Sequence, residues 1–177
     1  MDVPFHTLRN FDTFAGYGDT ELRVLCAVLE TLTFADGQVV CRQGEPGNSC
    51  FILLEGSLQV ERVMVEVGMR VMGTLLPGAI FGQISLIDGG PRVTTCRAVG
   101  HVVVAELSQE TFSQLFQEGS EFAVRFQLEV ARALVRQLRL SNQRLTEIEV
   151  SLSPREEVSR LSDWLEGVMA SPRVTLF

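Results

Sequence analysis

The spacing of apolar residues divides the chain into helical ends and a strand-rich middle. In the first segment, residues 1–31, apolar side chains recur at every third position and predict one face of a short helix over residues 3–17: Phe5, Leu8, Phe11 and Phe14. Asp19 or Thr20 then provides the N-cap of a second helix that extends to about Thr31. The inner face of this helix is predicted to contain Leu22, Leu25, Cys26, Val28 and Leu29.

Over residues 33–107, glycines separate short runs rich in Val, Ile, Leu and Phe. Turn residues at such short spacing indicate antiparallel strands that form a β-roll or jelly roll, which we assign to residues 32–118. Residues 98–107 are predicted as the last strand, and Ser108 as the cap of a short helix over residues 110–116. The predicted fold class is therefore α+β and mainly β, with N-terminal helices and a long C-terminal helix.

The long helix is predicted over residues 120–148, within a segment assigned to residues 119–149. One apolar stripe recurs at every fourth position and is expected to lie on the roll: Phe122, Phe126 and Val130. A second stripe alternates spacings of four and three, as in a left-handed coiled coil: Val124, Leu128, Ala131, Val135, Leu138, Asn142 and Leu145.

The second stripe has two interpretations. It either packs on the chain's own domain or forms the seam of a parallel homodimer. We favour the homodimer because the two stripes are distinct and an isolated helix of this length is marginal in water. A single polar residue in such a seam, here Asn142, fixes the register and a two-stranded state.

The last segment, residues 150–177, is predicted to contain one more helix. Pro154 stands in its first turn, where a missing backbone N–H is tolerated. Its apolar face is formed by Val158, Leu161, Leu165 and Val168.

Composition and charge narrow the class of partner. The 177 residues carry a formal charge of −7, and all fifteen basic residues are arginines. Backbone-driven DNA binding requires a concentrated basic face, so an acidic chain with scattered arginines argues against DNA. No apolar run approaches the roughly 20 residues of a membrane span, and the first residues do not follow a signal-peptide pattern. These observations predict a cytoplasmic protein without a membrane partner.

The cysteines and histidines do not suggest a metal site or an enzyme. Cys26, Cys41, Cys50 and Cys96 lie among apolar or strand-forming residues without C-x-x-C spacing, so buried free thiols are favoured over metal or disulfide roles. No nucleophile lies near a histidine in a recognisable motif, and a P-loop lysine is excluded because the chain contains no lysine. We therefore expect no cofactor, no metal and no catalytic residue.

Residues 80–98, IFGQISLIDGGPRVTTCRA, contain the strongest candidate chemistry. An aromatic–Gly pair leads into a short run that Asp88, Gly89, Gly90 and Pro91 end. The start of a helical turn exposes backbone N–H groups, and a guanidinium donates two parallel hydrogen bonds to a phosphate. This pattern, with Arg92 after the turn, predicts a phosphate-binding cassette. The alternative is a surface turn with an exposed arginine.

The run FGQISLIDGGPRVTT resembles the phosphate-binding cassette of cyclic nucleotide-binding domains. The upstream run FADGQVVCRQGEPGNSCFILLEGSLQV is similar to the first strands and glycine turns of the same domain, and the resemblance covers residues 20–145. It implies that Arg92 pairs with the cyclic phosphate and that Gly82 lets the backbone approach the ribose. It also implies that the remaining cassette residues line the sugar and phosphate: Phe81, Ile84, Ser85, Pro91 and Thr94.

Two positions depart from the family pattern. Gln83 replaces the glutamate that accepts a hydrogen bond from the ribose 2′-hydroxyl, and the lost charge assistance is of order 1 kcal/mol. Val93 stands where a family Thr or Ser favours guanine, so cAMP is expected over cGMP. The apolar residues Phe51, Val71 and Leu75 are candidates to line the base. On the long helix, Gln137 and Leu138 match the family's base lid.

The resemblance implies a regulator rather than an enzyme. In catabolite-activator-type members a helix-turn-helix domain follows the long helix, but residues 154–170 resemble at most its first helix. The predicted function is a stand-alone cyclic nucleotide sensor that dimerises and signals to an unidentified protein partner. The alternatives are a degenerate scaffold without ligand, marked by Gln83, and a truncated catabolite-activator-type transcription regulator. A different phosphate-bearing ligand also stays open.

Overall fold

The computed structural model describes residues 3–65 and 68–151. The N-terminal segment forms helix α1 (Phe5–Arg9), a 3-10 turn (Asp12–Phe14) and helix α2 (Asp19–Val28). The prediction of one helix over residues 3–17 is therefore wrong. Residues spaced by three drift off one face of a helix that has 3.6 residues per turn. Leu8 and Phe14 are both buried, but Leu8 lies in α1 and Phe14 in the 3-10 turn.

Helix α2 also differs from its prediction at both ends. Its N-cap is Gly18 rather than Asp19 or Thr20, and the Glu21 carboxylate accepts a hydrogen bond from the Gly18 N–H at 2.6 Å. The helix ends at Val28, and Thr31 already belongs to the first strand. The predicted inner face is confirmed at Leu22 and Leu25, which are fully buried.

Six strands among the described residues form one antiparallel sheet, which confirms the predicted roll. They are β1 (Glu30–Phe34), β2 (Val39–Cys41), β3 (Ser49–Met64), β4 (Gly68–Leu75), β5 (Ile80–Phe81) and β6 (Thr95–Ser108). The order is β1-β6-β3-β4, with β2 paired to β6 and β5 paired to β3. The short helix α3 (Gln83–Asp88) follows β5 directly.

The inside of the roll is an apolar core drawn from the central strands. Its buried members are Cys41, Phe51, Leu53, Leu58, Phe81, Cys96, Ala98, Val102 and Val104. Phe51 of β3 and Phe81 of β5 stack with ring centroids 5.1 Å apart. This contact fixes the end of β5, and therefore the start of the cassette, against the longest strand of the sheet.

Up to residue 151, where the described part of the chain ends, two helices follow the sheet. Helix α4 (Gln109–Gln117) begins as predicted, because the Ser108 side chain accepts a hydrogen bond from the Thr111 N–H at 3.1 Å. Helix α5 (Glu121–Ser151) is continuous. The chain divides into two compact units, residues 1–130 and 131–177.

The two stripes of α5 differ in burial. Phe122, Phe126 and Val130 are buried in the first unit, where their aromatic neighbours are Tyr17 and Phe112. The first stripe thus packs on the N-terminal segment and on α4. The second stripe is exposed throughout: Val124, Leu128, Ala131, Val135, Leu138, Asn142 and Leu145. Its pairing in a homodimer stays a prediction.

Further predictions concern the end of the chain, metals and membranes. The predicted last helix, with Pro154 in its first turn, lies outside the described residues. Within residues 3–65 and 68–151, no three His, Cys, Asp or Glu side chains are grouped to hold a metal ion. No helix in this part of the chain combines the length and apolarity needed to cross a bilayer.

Candidate functional site

The structure brings the predicted cassette residues together around one turn of helix. Phe81 ends β5, Gly82 is the N-cap of α3, and Gln83 begins that helix. Ile84 and Ser85 follow in its first turn, where Ser85 is buried. The helix ends at Asp88, whose carboxylate accepts a hydrogen bond from the Gly90 N–H at 2.8 Å. The chain reverses direction at this turn, so that the Arg92 side chain lies beside Gly82 at the start of the cassette.

Arg92 is not on the surface, so the alternative of an exposed arginine is excluded. The residue is only 7% exposed, and its guanidinium lies 5.2 Å from the centroid of the Phe51 ring. Nη1 donates to the carbonyl oxygens of Ser49 at 2.5 Å and Gly82 at 3.1 Å. Nη2 donates to Ser49 Oγ at 2.9 Å. The guanidinium therefore joins β3 to the cassette.

The backbone of Arg92 is held by the turn between β2 and β3. Its N–H donates to the Glu45 carbonyl at 2.8 Å, and its carbonyl accepts from the Gly44 N–H at 2.8 Å. Pro46 and Pro91 form an isolated antiparallel bridge beside this pair. Both sides of the Arg92 peptide are thus hydrogen-bonded, so the direction of the side chain is set by backbone pairing and not by its own rotamer preference alone.

Two glycines make room for the guanidinium. Gly82 has φ +75°, and a Cβ there would lie 2.6 Å from Arg92 Nη1. At Gly47 a Cβ would lie 2.5 Å from Ser85 Cβ and 2.7 Å from Arg92 Nε. Contacts this short do not occur in folded proteins without displacement of a neighbour. A side chain at either position would therefore push Arg92 out of its place.

The charge of Arg92 is not neutralised inside the described part of the chain. None of the ion pairs among the described residues includes it, and its hydrogen-bond acceptors are two carbonyls and a hydroxyl. Its field reaches the buried thiols nearby, where it partly offsets the effect of burial, which raises the pKa of Cys50 to about 12. A buried cation with only neutral partners provides strong attraction for an anion.

The remaining predicted site residues differ in solvent exposure. Gln83 and Thr94 are half-buried, and Val93 is 44% exposed. Among the candidates for the base, Phe51 is buried, Leu75 packs on the core and Val71 is 56% exposed. Leu138 is exposed on α5, and Gln137 belongs to the same helix within the second unit. The roles of all these residues toward a ligand stay predictions.

Two residues that hold Arg92 were not predicted as part of the site. Ser49 supplies both a carbonyl and a hydroxyl to the guanidinium, and Gly47 leaves space for it. Both stand in the run GEPGNS, which the sequence marks only as a turn before a strand. The sequence shows only that these two residues are small. Their small size indicates a role in the site only when Arg92 is known to lie beside them.

Comparison with known proteins agrees with this geometry. The model of the family described as the cyclic nucleotide-binding domain matches residues 31–119, half of the chain. A cAMP-dependent protein kinase regulatory subunit of Dictyostelium discoideum is 34% identical over 94 residues, 51% of this chain and 29% of that protein. A cyclic nucleotide-gated potassium channel of Mesorhizobium japonicum is 35% identical over 111 residues, 62% of this chain and 29% of the channel.

The fold also has solved counterparts. The crystal structure of the Thermus thermophilus catabolite activator protein superposes with a TM-score of 0.69 at 23% identity, covering 77% of this chain and 62% of that one. The chain spans less than a third of the length of the two curated relatives above. The family match includes the roll, the cassette and Arg92. The predicted resemblance is thereby confirmed, and the chain belongs to the cyclic nucleotide-binding domain family.

Proposed function

We propose that this chain is a sensor that binds a cyclic nucleotide, cAMP in preference to cGMP, and that does not act as an enzyme. The observation that carries the proposal is the buried Arg92 guanidinium, which has no carboxylate partner among the described residues. A cyclic phosphate is a monoanion with two free oxygens, which a guanidinium fork can engage with parallel hydrogen bonds. The relatives named for cAMP or cyclic nucleotides support this ligand class.

Ligand binding would change the hydrogen bonds at Arg92. In the structure, Nη1 and Nη2 donate to Ser49 and Gly82. A phosphate would take over part of these donors, and the ionic hydrogen bonds it forms are stronger than those to neutral carbonyls. Gln83 would accept from the ribose 2′-hydroxyl through its amide oxygen, and the backbone of Ile84 and Ser85 would line the sugar and phosphate.

The choice between nucleotides rests on the residue after Arg92. Val93 has no hydroxyl to contact a guanine, so we propose that cAMP binds more tightly than cGMP. Gln137 would hydrogen-bond the adenine edge and Leu138 would cover its face, with α5 as the lid. Thr94 would contribute to the phosphate side of the pocket.

The output of the sensor is proposed to pass through α5. Its exposed apolar stripe would pair with the same stripe of a second copy, with Asn142 fixing the register. Ligand contacts that differ between two arrangements of this helix would shift the population between them. The dimer would then present a changed surface to a protein partner, in the cytoplasm, where thiols stay reduced. DNA and membranes are not proposed as partners.

A second candidate function is a scaffold that binds no nucleotide. Two observations favour it. Gln83 lacks the charge of the family's glutamate, and Arg92 already has three hydrogen-bond acceptors within the protein. In that case the bonds to Ser49 and Gly82 would be permanent, and the fold would serve dimerisation alone.

Calorimetric titration of the purified protein with cAMP and cGMP distinguishes the two functions. A sensor gives saturable heat with cAMP, weaker binding with cGMP, and no binding in Arg92→Ala. The matched control is Arg42→Ala, because Arg42 forms only an exposed ion pair with Glu45 at 3.4 Å and should leave binding unchanged. No heat and no thermal shift at millimolar nucleotide would exclude the sensor and favour the scaffold.

Sedimentation equilibrium tests the dimer. Leu138 is 61% exposed on α5, so Leu138→Glu should convert a dimer to a monomer without loss of folding. Val99, 48% exposed on β6, provides the matched control, and Val99→Glu should leave the dimer intact. If the unmodified chain sediments as a monomer at all concentrations, the proposed seam is wrong.

A further inference from the structure

Two of the buried cysteines face each other across the sheet. Cys41 of β2 and Cys96 of β6 are direct partners in the antiparallel register, and both belong to the apolar core of the roll. Both are free thiols, 8% and 3% exposed. They stand in the strands that lead to and from the turns around Arg92, so a change at this pair acts close to the candidate ligand site.

A bulge in β2 creates this pairing. Val39 pairs with Arg97, and the next recorded partner of Cys41 is Cys96, so the register shifts between the two positions. Regular antiparallel pairing from Val39 would have placed Val40, not Cys41, opposite Cys96. Bulges redirect side chains and are features of a fold rather than defects. Here the bulge turns Cys41 toward Cys96.

The distance between these strands suits a disulfide. Directly opposed residues in an antiparallel pair have Cα atoms about 4.5–5.5 Å apart. Disulfides bridge Cα atoms about 4.4–6.8 Å apart, so the bond can form here without separating the strands. The Cys41 thiol is held in this position by a hydrogen bond that it donates to the carbonyl of Thr94, two residues before Cys96, at 4.0 Å.

The surroundings favour one thiol as the nucleophile. The hydrogen bond from Cys96 lowers the pKa of Cys41 to about 7 against the opposing effect of burial, with a smaller lowering by the positive charge of Arg92 and a small opposing effect of Glu45. The same hydrogen bond and burial raise the pKa of Cys96. One thiolate beside one protonated thiol is the arrangement found in reactive dithiol pairs. By contrast, burial leaves Cys50 protonated.

We propose that Cys41 and Cys96 form a redox-sensitive dithiol that hydrogen peroxide oxidises to a cross-strand disulfide. The Cys41 thiolate attacks one peroxide oxygen, the O–O bond breaks, and the departing oxygen leaves as hydroxide and is protonated to water. Cys41 is then a sulfenic acid. The Cys96 sulfur attacks the Cys41 sulfur, the S–O bond breaks, and the released hydroxide takes the Cys96 proton to form a second water. The two thiols lose two electrons, and the hydrogen peroxide gains them.

The disulfide would tie β2 to β6 at the base of the Arg92 turn. Gly44 and Glu45, which hold the Arg92 backbone, follow Cys41 closely in the chain, and Arg92 itself precedes Cys96. The bond would therefore restrict the segments that position the guanidinium. The oxidation itself needs no nucleotide, so its test is independent of the proposed ligand.

Peptide mapping of the folded, unmodified chain tests the proposal. The protein is treated with increasing hydrogen peroxide, remaining thiols are alkylated in denaturant, and a digest is analysed by mass spectrometry. The expected product is a peptide pair linked through Cys41 and Cys96, which dithiothreitol separates. Cys50 should stay fully alkylated and serves as the internal control for native packing.

Single variants assign the order of events. In Cys96→Ser, which keeps a hydrogen-bond donor beside Cys41 but cannot form the disulfide, dimedone should trap a sulfenic acid at Cys41, whereas in Cys41→Ala neither the linked peptides nor a dimedone adduct at Cys96 should appear. If a variant does not fold, the map of the unmodified chain still decides the matter. The half-exposed Cys26 reports that the oxidant has acted. Oxidation of Cys26 without any Cys41–Cys96 link, or a link that includes Cys50, would overturn the proposal.

Discussion

Two arginines in the same stretch of chain, Arg92 and Arg97, differ in the hydrogen-bond acceptors of their guanidinium groups. Arg97 of β6 forms a two-pronged ion pair with Glu61 of β3, with Nε–Oε1 at 3.0 Å and Nη2–Oε2 at 3.2 Å. The Glu61 side chain is only 6% exposed, and the Arg97 Nη1 also donates to the Gly37 carbonyl at 2.9 Å. The carboxylate raises the pKa of Arg97, so this guanidinium stays charged and committed to its partner.

Arg92 is buried without such a partner. Its hydrogen bonds end on neutral oxygens of Ser49 and Gly82, and none of the ion pairs in the described part of the chain includes it. The comparison separates two uses of the same side chain. A guanidinium that is paired within the protein stabilises the sheet, whereas one left with neutral acceptors keeps its attraction for an external anion.

The largest expected effect comes from giving Arg92 an internal carboxylate. In Ser49→Asp, the residue that accepts from Arg92 Nη2 would become an anion and compete with the ligand phosphate. Relative to Ser49→Asn, which has nearly the same size without the charge, we expect cAMP affinity to fall about 30-fold, or roughly 2 kcal/mol. Calorimetry measures both variants. Equal affinities in the two would show that the Arg92 charge is not what binds the ligand.

The second effect concerns the stability that Arg97 provides. Arg97→Met leaves Glu61 buried without its partner, so Tm should fall by about 5 °C or more. The double variant Arg97→Met with Glu61→Met removes both charges and should recover most of the loss. Differential scanning calorimetry measures Tm, and titration should show nearly unchanged cAMP affinity in the double variant. A double variant no more stable than Arg97→Met would argue against the ion pair as the cause.

A smaller gain is expected from Gln83→Glu. This change restores the family's carboxylate at the start of α3 and makes the hydrogen bond to the ribose hydroxyl ionic. We expect cAMP to bind about 5-fold more tightly, equivalent to about 1 kcal/mol. A 2′-deoxy analogue of cAMP is the matched control, because it cannot form that bond and should gain nothing. Equal gains for both ligands would mean that the carboxylate acts elsewhere.

The smallest expected effect tests whether the positive charge of Arg92 lowers the pKa of the Cys41 thiol. The pKa of Cys41 is lowered to about 7, mainly by the Cys96 hydrogen bond and partly by Arg92. The rate of Cys41 alkylation should therefore rise with pH through about 7, as the unreactive thiol becomes thiolate. The midpoint should move upward in Arg92→Met and stay in place in Arg97→Met. Iodoacetamide labelling followed by mass spectrometry measures the pH midpoint of Cys41 alkylation. Equal midpoints in Arg92→Met and Arg97→Met would show that the Arg92 charge does not act on Cys41.

The sequence was sufficient for the parts of the molecule that local patterns determine. Short glycine-bounded runs indicated the antiparallel roll, and Ser108 indicated the start of α4. The motif around Arg92 indicated the cassette, because the turn residues and the arginine are adjacent in the chain. The N-terminal helix was wrongly extended, because a threefold apolar spacing does not reveal that the chain changes direction after Arg9.

The surroundings of Arg92 could not be read from the sequence, since they depend on contacts between distant segments. Ser49 meets the guanidinium only because β3 passes beneath the cassette, and Gly47 matters only because Ser85 lies against it. The pairing of Cys41 with Cys96 requires a bulge whose position no sequence pattern marks. Register and close approach are tertiary properties, and single-residue preferences do not encode them.

The close packing at Gly47 has a consequence for inheritance. A Cβ at this position collides with both Ser85 and Arg92. Under the proposed function, any substitution here would act as a loss-of-function allele although the residue contributes no side chain to the ligand. A genetic screen for defective signalling should therefore recover Gly47 alongside Arg92. Substitutions of this turn glycine should therefore be selected against as strongly as substitutions of Arg92, because the missing side chain leaves the space that Arg92 occupies.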